Sequence, residues 1–144
     1  MVLQNKIYLT NSEVNSGTAI NLLAKSINSS QQMFTRTINK PRRTVGASYT
    51  TALSEGTNQG FSSPTHVVSG VINLNTSHGT TVIDVEHMQN IINNSHKVMT
   101  LKCDKFVTTT NTTGEINVML TNYSDTLTNT NVLDYTMTFV EVKV

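Results

Sequence analysis

The most regular alternation of apolar and polar positions lies at the end of the chain. In "NVLDYTMTFVEVKV", residues 131–144, Leu133, Tyr135, Met137 and Phe139 fall on one face, and Asp134, Thr136 and Thr138 on the other. That period of two is the mark of a half-buried strand. Order ordinarily fades at termini, so a strand this regular, placed last, is expected to be held in a sheet that continues into a neighbouring subunit. The same period recurs upstream. "KVMTLKCDKF" sets Met99, Leu101 and Cys103 against Lys102 and Asp104, and "INVMLTNY" brings Ile116, Val118 and Leu120 into register. "THVVSGVINLN" places Val68, Ile72 and Leu74 on one face with Gly70 between them, and Val67 and Val71 on the other. A glycine inside a strand marks a bulge or the close approach of another backbone. Residues 2–10, "VLQNKIYLT", read as a first strand, and "GTAINLLAKSI" fits a second strand or a short helix equally well.

One segment changes period. In "DVEHMQNIINNS", Val85, Met88, Ile91 and Ile92 fall at helical spacing and give one narrow apolar stripe. Asp84 or Thr81 can cap its start, Asp84 and Glu86 sit at the positive end of the dipole, and the Asn-rich "NNS" ends it. The spacing predicts a helix over about 84–94. Two Thr/Asn-rich stretches, "VTTTNTTGE" and "SDTLTNTN", read as turns around the strand at 116–123.

Between about 28 and 65 the pattern is lost. This stretch holds both prolines, "NKPRRTVGASYTTALSEGTNQGFSSP", and scattered apolar residues at Met33, Phe34, Ile38, Val45, Tyr49, Leu53 and Phe61. Loops of this length inside a compact domain are generally functional or disordered. Its apolar residues are more than a plain linker needs, so an extended arm that orders against something is expected. The predicted architecture is mainly β: an antiparallel β-sandwich or barrel-like domain over 1–144, with a short flanking α-helix and a long extended loop.

Composition supports this. Thr, Asn and Ser make up more than a third of the 144 residues. Thr suits a pleated surface, and Asn and Ser suit turns. Charged residues are 13% of the chain, about half the roughly 25% usual for a soluble protein. With a net charge of +1, the surface is not built to hold nucleic acid electrostatically, which takes several cations ranged along the phosphates. The weak field leaves self-association unopposed. The single Cys103 excludes an internal disulfide and a Cys-rich metal site, and reads as a small buried hydrophobe. No stretch reaches the roughly 20 apolar residues of a membrane-spanning helix. The N-terminal stretch lacks a basic segment followed by an apolar run, so synthesis and folding in the cytosol are expected.

Candidate chemistry is sparse. His78, His87 and His96 recur every nine residues, a spacing that neither a helix nor a strand gathers on one side, and no H-x-x-x-H or C-x-x-C pair exists. His87, beside Glu86, reads as solvated. Nucleophile elbows, phosphate loops and dinucleotide fingerprints are missing. An enzyme and a cofactor are therefore not expected, although a nucleophile–base–acid group assembles in space and is invisible to spacing. The basic cluster Lys40–Arg43, "KPRR", fits a solvated turn, pairing with carboxylates of an adjacent subunit, or contact with phosphates. The five N-x-S/T triplets, at Asn28, Asn75, Asn93, Asn111 and Asn122, are what chance supplies in so Asn- and Thr-rich a chain.

The runs "SPTHVVSGVINLN", "TTVIDVEHMQNIINNSHKVMTLKC" and "TGEINVMLTNYSDTLTNTNVLDYTMTFVEVKV", residues 62–144 in broad terms, resemble the tail tube proteins of long-tailed bacterial and archaeal viruses and related tube-like baseplate ring proteins. The likeness lies in the order of elements: a strand with a central glycine, a short helix, a strand, then a terminal hairpin. It implies a β-sandwich subunit made in the host cytoplasm, residing in the virion tail and assembling with itself into rings, commonly hexameric, that stack into a hollow tube. Sheath, baseplate and terminator proteins are the implied further partners, DNA passes through without specific binding, and no membrane is involved. The expected interface residues are Lys40, Arg42, Arg43, Tyr49 and Phe61 of the arm, with Thr136, Thr138 and Val140 of the last strand. A baseplate or terminator ring of the same fold is the alternative. From other classes come a cell-surface fibre or adhesin, against which the missing export signal counts, and a small hydrolase, which requires clustered Ser, His and acid.

Overall fold

A computed structural model of the chain describes residues 6–39, 54–74 and 81–143. Nine strands and one α-helix follow in chain order among them: β1 (Ile7–Thr10), β2 (Ile20–Asn21), β3 (Ala24–Ser30), β4 (Met33–Asn39), β5 (Ser54–Phe61), β6 (Thr65–Asn73), α1 (Val85–Asn93), β7 (Met99–Cys103), β8 (Glu115–Asn129) and β9 (Val132–Glu141). They divide into two compact units, residues 1–30 with 64–144, and residues 31–63. The ambiguous segment at 17–27 is extended, supplying β2 and the start of β3.

In the larger unit seven strands form one antiparallel sheet in the order β2-β1-β7-β8-β9-β6-β3. The last strand lies inside this sheet. β9 pairs with β6 from Thr65↔Val140 to Asn73↔Val132, and with β8 from Val118↔Glu141 to Asn129↔Val132. The end strands β2 and β3 are joined by Leu22 and Leu23 alone. Three Cα steps span at most about 11 Å, so the sheet curls until its two edges come near each other. Among the described residues no ladder joins β2 to β3, and the sheet stays open.

The alternation in the sequence decides which face turns inward. His66, Val68, Gly70 and Ile72 of β6, Met99, Leu101 and Cys103 of β7, and Tyr135, Met137 and Phe139 of β9 are buried on the concave side with Ile7 and Leu9 of β1. Each fully buried side chain of this size contributes about 1.5–3 kcal/mol. Leu133 is half-buried and Leu74 is exposed, so the apolar rows thin out toward the β8–β9 turn.

Two residues hold the corner between the edges. The Tyr135 hydroxyl donates to the Leu22 carbonyl, crossing β6 above Gly70. A Cβ on Gly70 would sit 2.6 Å from that hydroxyl and 2.8 Å from the Leu23 carbonyl oxygen. The glycine therefore marks a close backbone approach. Leu23 itself takes φ 48°, a conformation that costs a non-glycine residue about 1–2 kcal/mol. Its N–H is held by the Asn21 side chain at 3.0 Å.

Helix α1 is capped by Asp84, whose carboxylate accepts from the His87 N–H at 2.7 Å. The stripe it buries differs from the one expected: His87, Met88 and Ile91 face the core, Ile92 is half-buried, and Val85 is 43% exposed. At about 100° per residue Val85 points well away from the centre of that set. His87 is consequently buried rather than solvated, its Nδ1 3.0 Å from the Val82 carbonyl oxygen.

The second expected turn, "SDTLTNTN", is mostly strand. β8 continues to Asn129, and Thr130–Asn131 alone make the turn. Residues Ser124–Asn129 are exposed on both faces, so no apolar period betrays the strand, and pairing with β9 supplies it. The smaller unit revises the arm in the same way. The segment expected as a long loop over 28–65 contains the end of β3 and a two-stranded ribbon, with β4 and β5 paired from Met33↔Phe61 to Asn39↔Ser54. Its base is fastened by Ser62 N–H to the Gln32 carbonyl and by Gln32 N–H to the Ser62 hydroxyl, both at 2.8 Å.

Candidate assembly surface

On the convex side of the larger unit the three long strands present a neutral polar wall. Thr136 of β9 stands opposite Ser69 and Ser124, Thr138 opposite Val67 and Asn122, and Val140 opposite Thr65 and Met119. All three β9 residues are half-buried within the single chain. They share this face because strand periodicity sends them opposite to Tyr135, Met137 and Phe139. The nearest charges are matched: Lys25 Nζ lies 3.2 Å from Asp134 Oδ1, and Lys102 stands across from Glu115.

The wall ends on an edge. β7 accompanies β8 only from Glu115 to Val118, so from Met119 to Asn129 the strand partner of β8 among the described residues is β9 alone. A bulge at Thr121, whose hydroxyl donates to the Thr138 carbonyl at 3.2 Å, shifts the register there. Beside it a groove of about 330 Å³ runs between the end of α1 and β8, lined by Ile92, Ser95 and Leu120–Tyr123. Tyr123 bridges the helix and the strand, its hydroxyl donating to Asp125 Oδ2 at 2.9 Å and touching Met88 Sδ. Burial, helped by the Asp125 carboxylate, raises the Tyr123 phenol well above its ordinary value, and burial raises that of Tyr135. Both side chains therefore act as neutral hydrogen-bond donors.

Of the residues expected at an interface, Lys40, Arg42, Arg43 and Tyr49 lie outside the described residues. Phe61 ends β5 opposite Met33, its side chain outside the described part. Thr136, Thr138 and Val140 share one face. The β8 edge was missed by sequence reasoning, because its residues look like a turn. Cys103 is buried, and His78 lies outside the described residues. Among the described residues no group of three or more His, Cys, Asp or Glu is placed to hold a metal. Among them, too, no helix is long and apolar enough to cross a membrane.

Neither protein-family models nor curated protein sequences match this chain. A solved structure does: a chain in the tail of an empty GTA particle with C6 symmetry, at 13% identity and a TM-score of 0.54, over 97% of this chain and 92% of the other. The two chains share a fold over nearly their whole lengths.

Proposed function

We propose that this protein is a structural subunit of a virus-type tail tube, forming rings that stack into a hollow conduit for genome delivery. The observation that carries the reading is the fold shared with a component of a sixfold-symmetric tail over 97% of the chain. The neutral convex wall and the open β8 edge support it, since head-to-tail contacts that do not close on themselves generate filaments and an unpaired edge is a template for another strand. In this reading the 144 residues work as one domain and the 28–65 segment is its inter-subunit arm. Lys40, Arg42, Arg43, Tyr49 and Phe61 meet the neighbouring subunit, and Thr136, Thr138 and Val140 face a neighbour or the lumen. DNA passes without specific binding, because a weakly charged wall offers few cationic side chains to hold phosphates. The subunit is made in the host cytoplasm and resides in the tail, alongside sheath, baseplate and terminator proteins.

Negative-stain electron microscopy of the purified protein tests this. Long hollow tubes of uniform width are expected. Isolated rings reassign the protein to a baseplate or terminator position, and a monomer that persists at high concentration overturns the reading.

A further inference from the structure

The concave side of the larger unit carries a group that tail architecture does not require. Ser29, near the end of the edge strand β3, places its hydroxyl oxygen 2.7 Å from His66 Nδ1. The other ring nitrogen, Nε2, lies 3.3 Å from Glu141 Oε2. Three strands supply the three groups, brought side by side because β6 pairs with β3 on one side and β9 on the other. The imidazole is buried, 5% exposed, and its ring packs edge-on against Phe106 with centroids 4.9 Å apart. Ser29 is exposed. A base fixed in the interior thus holds a hydroxyl that solvent reaches.

The polarity of the chain of contacts is consistent. Glu141, an acceptor, selects the tautomer in which Nε2 carries the proton, and this leaves the Nδ1 lone pair free to accept from the Ser29 hydroxyl. Lys105 Nζ lies 2.7 Å from the same Ser29 oxygen. Donating to that oxygen, its ammonium favours release of the hydroxyl proton toward His66. Lys105 also borders a groove of about 370 Å³ shared with Lys6, Ser26, Ile27, Cys103 and Asp104. Ile27 lies two residues from Ser29 on the same face of β3, and Lys105 links this groove to the hydroxyl.

We propose that Ser29 is a nucleophile activated by His66, positioned through Glu141, and that it takes an acyl group from small activated esters. As the hydroxyl oxygen attacks the carbonyl carbon, its proton passes to His66 Nδ1. The ester C–O bond then breaks, and the departing alcohol or phenol takes that proton back. The sum is Ser29 hydroxyl plus ester giving acyl-Ser29 plus alcohol, with no redox change. The nucleophile, base and orienting carboxylate occupy the roles that define such sites on unrelated folds, with the two ring nitrogens exchanged. The inference stands on the geometry of one subunit and does not depend on tube assembly.

The test uses the full-length protein as unassembled subunits, treated with 4-nitrophenyl acetate. Nitrophenol release is followed by absorbance, and the adduct is located by intact-mass and peptide mass spectrometry. One acetyl group per chain, mapped to Ser29, is expected. Ser29→Ala, a change at an exposed edge position, abolishes it. Glu141→Gln, at a partly exposed carboxylate, slows acylation about tenfold or more by freeing the imidazole orientation. Labelling of Lys105 or of scattered residues in place of Ser29, or an unmodified Ser29 in the folded protein, overturns the proposal. So does a Glu141→Gln variant that is acylated at the parent rate while its circular dichroism is unchanged.

Discussion

β6 with β9 and β4 with β5 are both long antiparallel pairs, yet their sequences differ in kind. β6 and β9 pair from Thr65↔Val140 to Asn73↔Val132, and each alternates buried and half-buried positions along its length. β4 and β5 pair over a similar span, but their sequences, "MFTRTIN" and "SEGTNQGF", hold apolar residues only at Met33, Phe34, Ile38 and Phe61. Both have backbone ladders. In the first, a row of side chains is removed from water. A two-stranded ribbon held by its ladder alone is marginal in water, whereas the larger unit has a buried core of its own. The β8–β9 hairpin shows both regimes in one element, packed around Val118 and exposed along Ser124–Asn129.

The sharpest way to break this contrast is at the buried row. Phe139→Ala removes a fully buried ring and is expected to cost about 3–5 kcal/mol, seen as a large fall in the urea midpoint of the larger unit. A loss below about 1 kcal/mol would mean that the row does not carry the sheet. Gly70→Ala comes next. Its new methyl would meet the Tyr135 hydroxyl and the Leu23 carbonyl at under 3 Å, for an expected cost of about 1–3 kcal/mol. Combining it with Tyr135→Phe should recover part of that loss, because the clash and the hydrogen bond share one ring. Asp84→Ala removes the helix cap and should cost about 1 kcal/mol; an unchanged midpoint would show that packing of Met88 and Ile91 alone holds α1. The smallest effect on stability is expected from deleting residues 36–60. The larger unit should keep its stability within about 0.5 kcal/mol, and on the proposed function the variant no longer stacks rings. Normal tube growth by the deletion variant would sink the inter-subunit role of the arm.

The fold was most legible where one face is buried and one is not. The inward rows of β6, β7 and β9 and the capped helix follow from spacing alone, since burying one face imposes its period on the sequence. The ribbon and the outer half of β8 were read as loop and turn for the converse reason. The outer half of β8 is exposed on both faces, so pairing with β9 makes the strand without an apolar period. The few apolar residues of the ribbon are too scattered to show one. The stripe expected for α1 includes Val85, which faces water in the first turn, and omits His87, which is buried. Of the candidate surface, Thr136, Thr138 and Val140 were legible as one face, whereas the β8 edge was not.

The sequence by itself determined that the chain is mainly β with one helix, that Cys103 is a buried hydrophobe, that Gly70 marks either a bulge or a close backbone approach, and which side of the last strand turns inward. These are local matters, set by period and by the size of a single residue. Tertiary structure alone decided that β9 lies inside the sheet, that Tyr135 reaches the corner at Leu22, that His87 is buried, and that Ser29, His66 and Glu141 meet. Each of these joins residues on separate strands or loops. Side-chain period fixes a face, but strand order and register across the sheet are chosen only when the whole core packs.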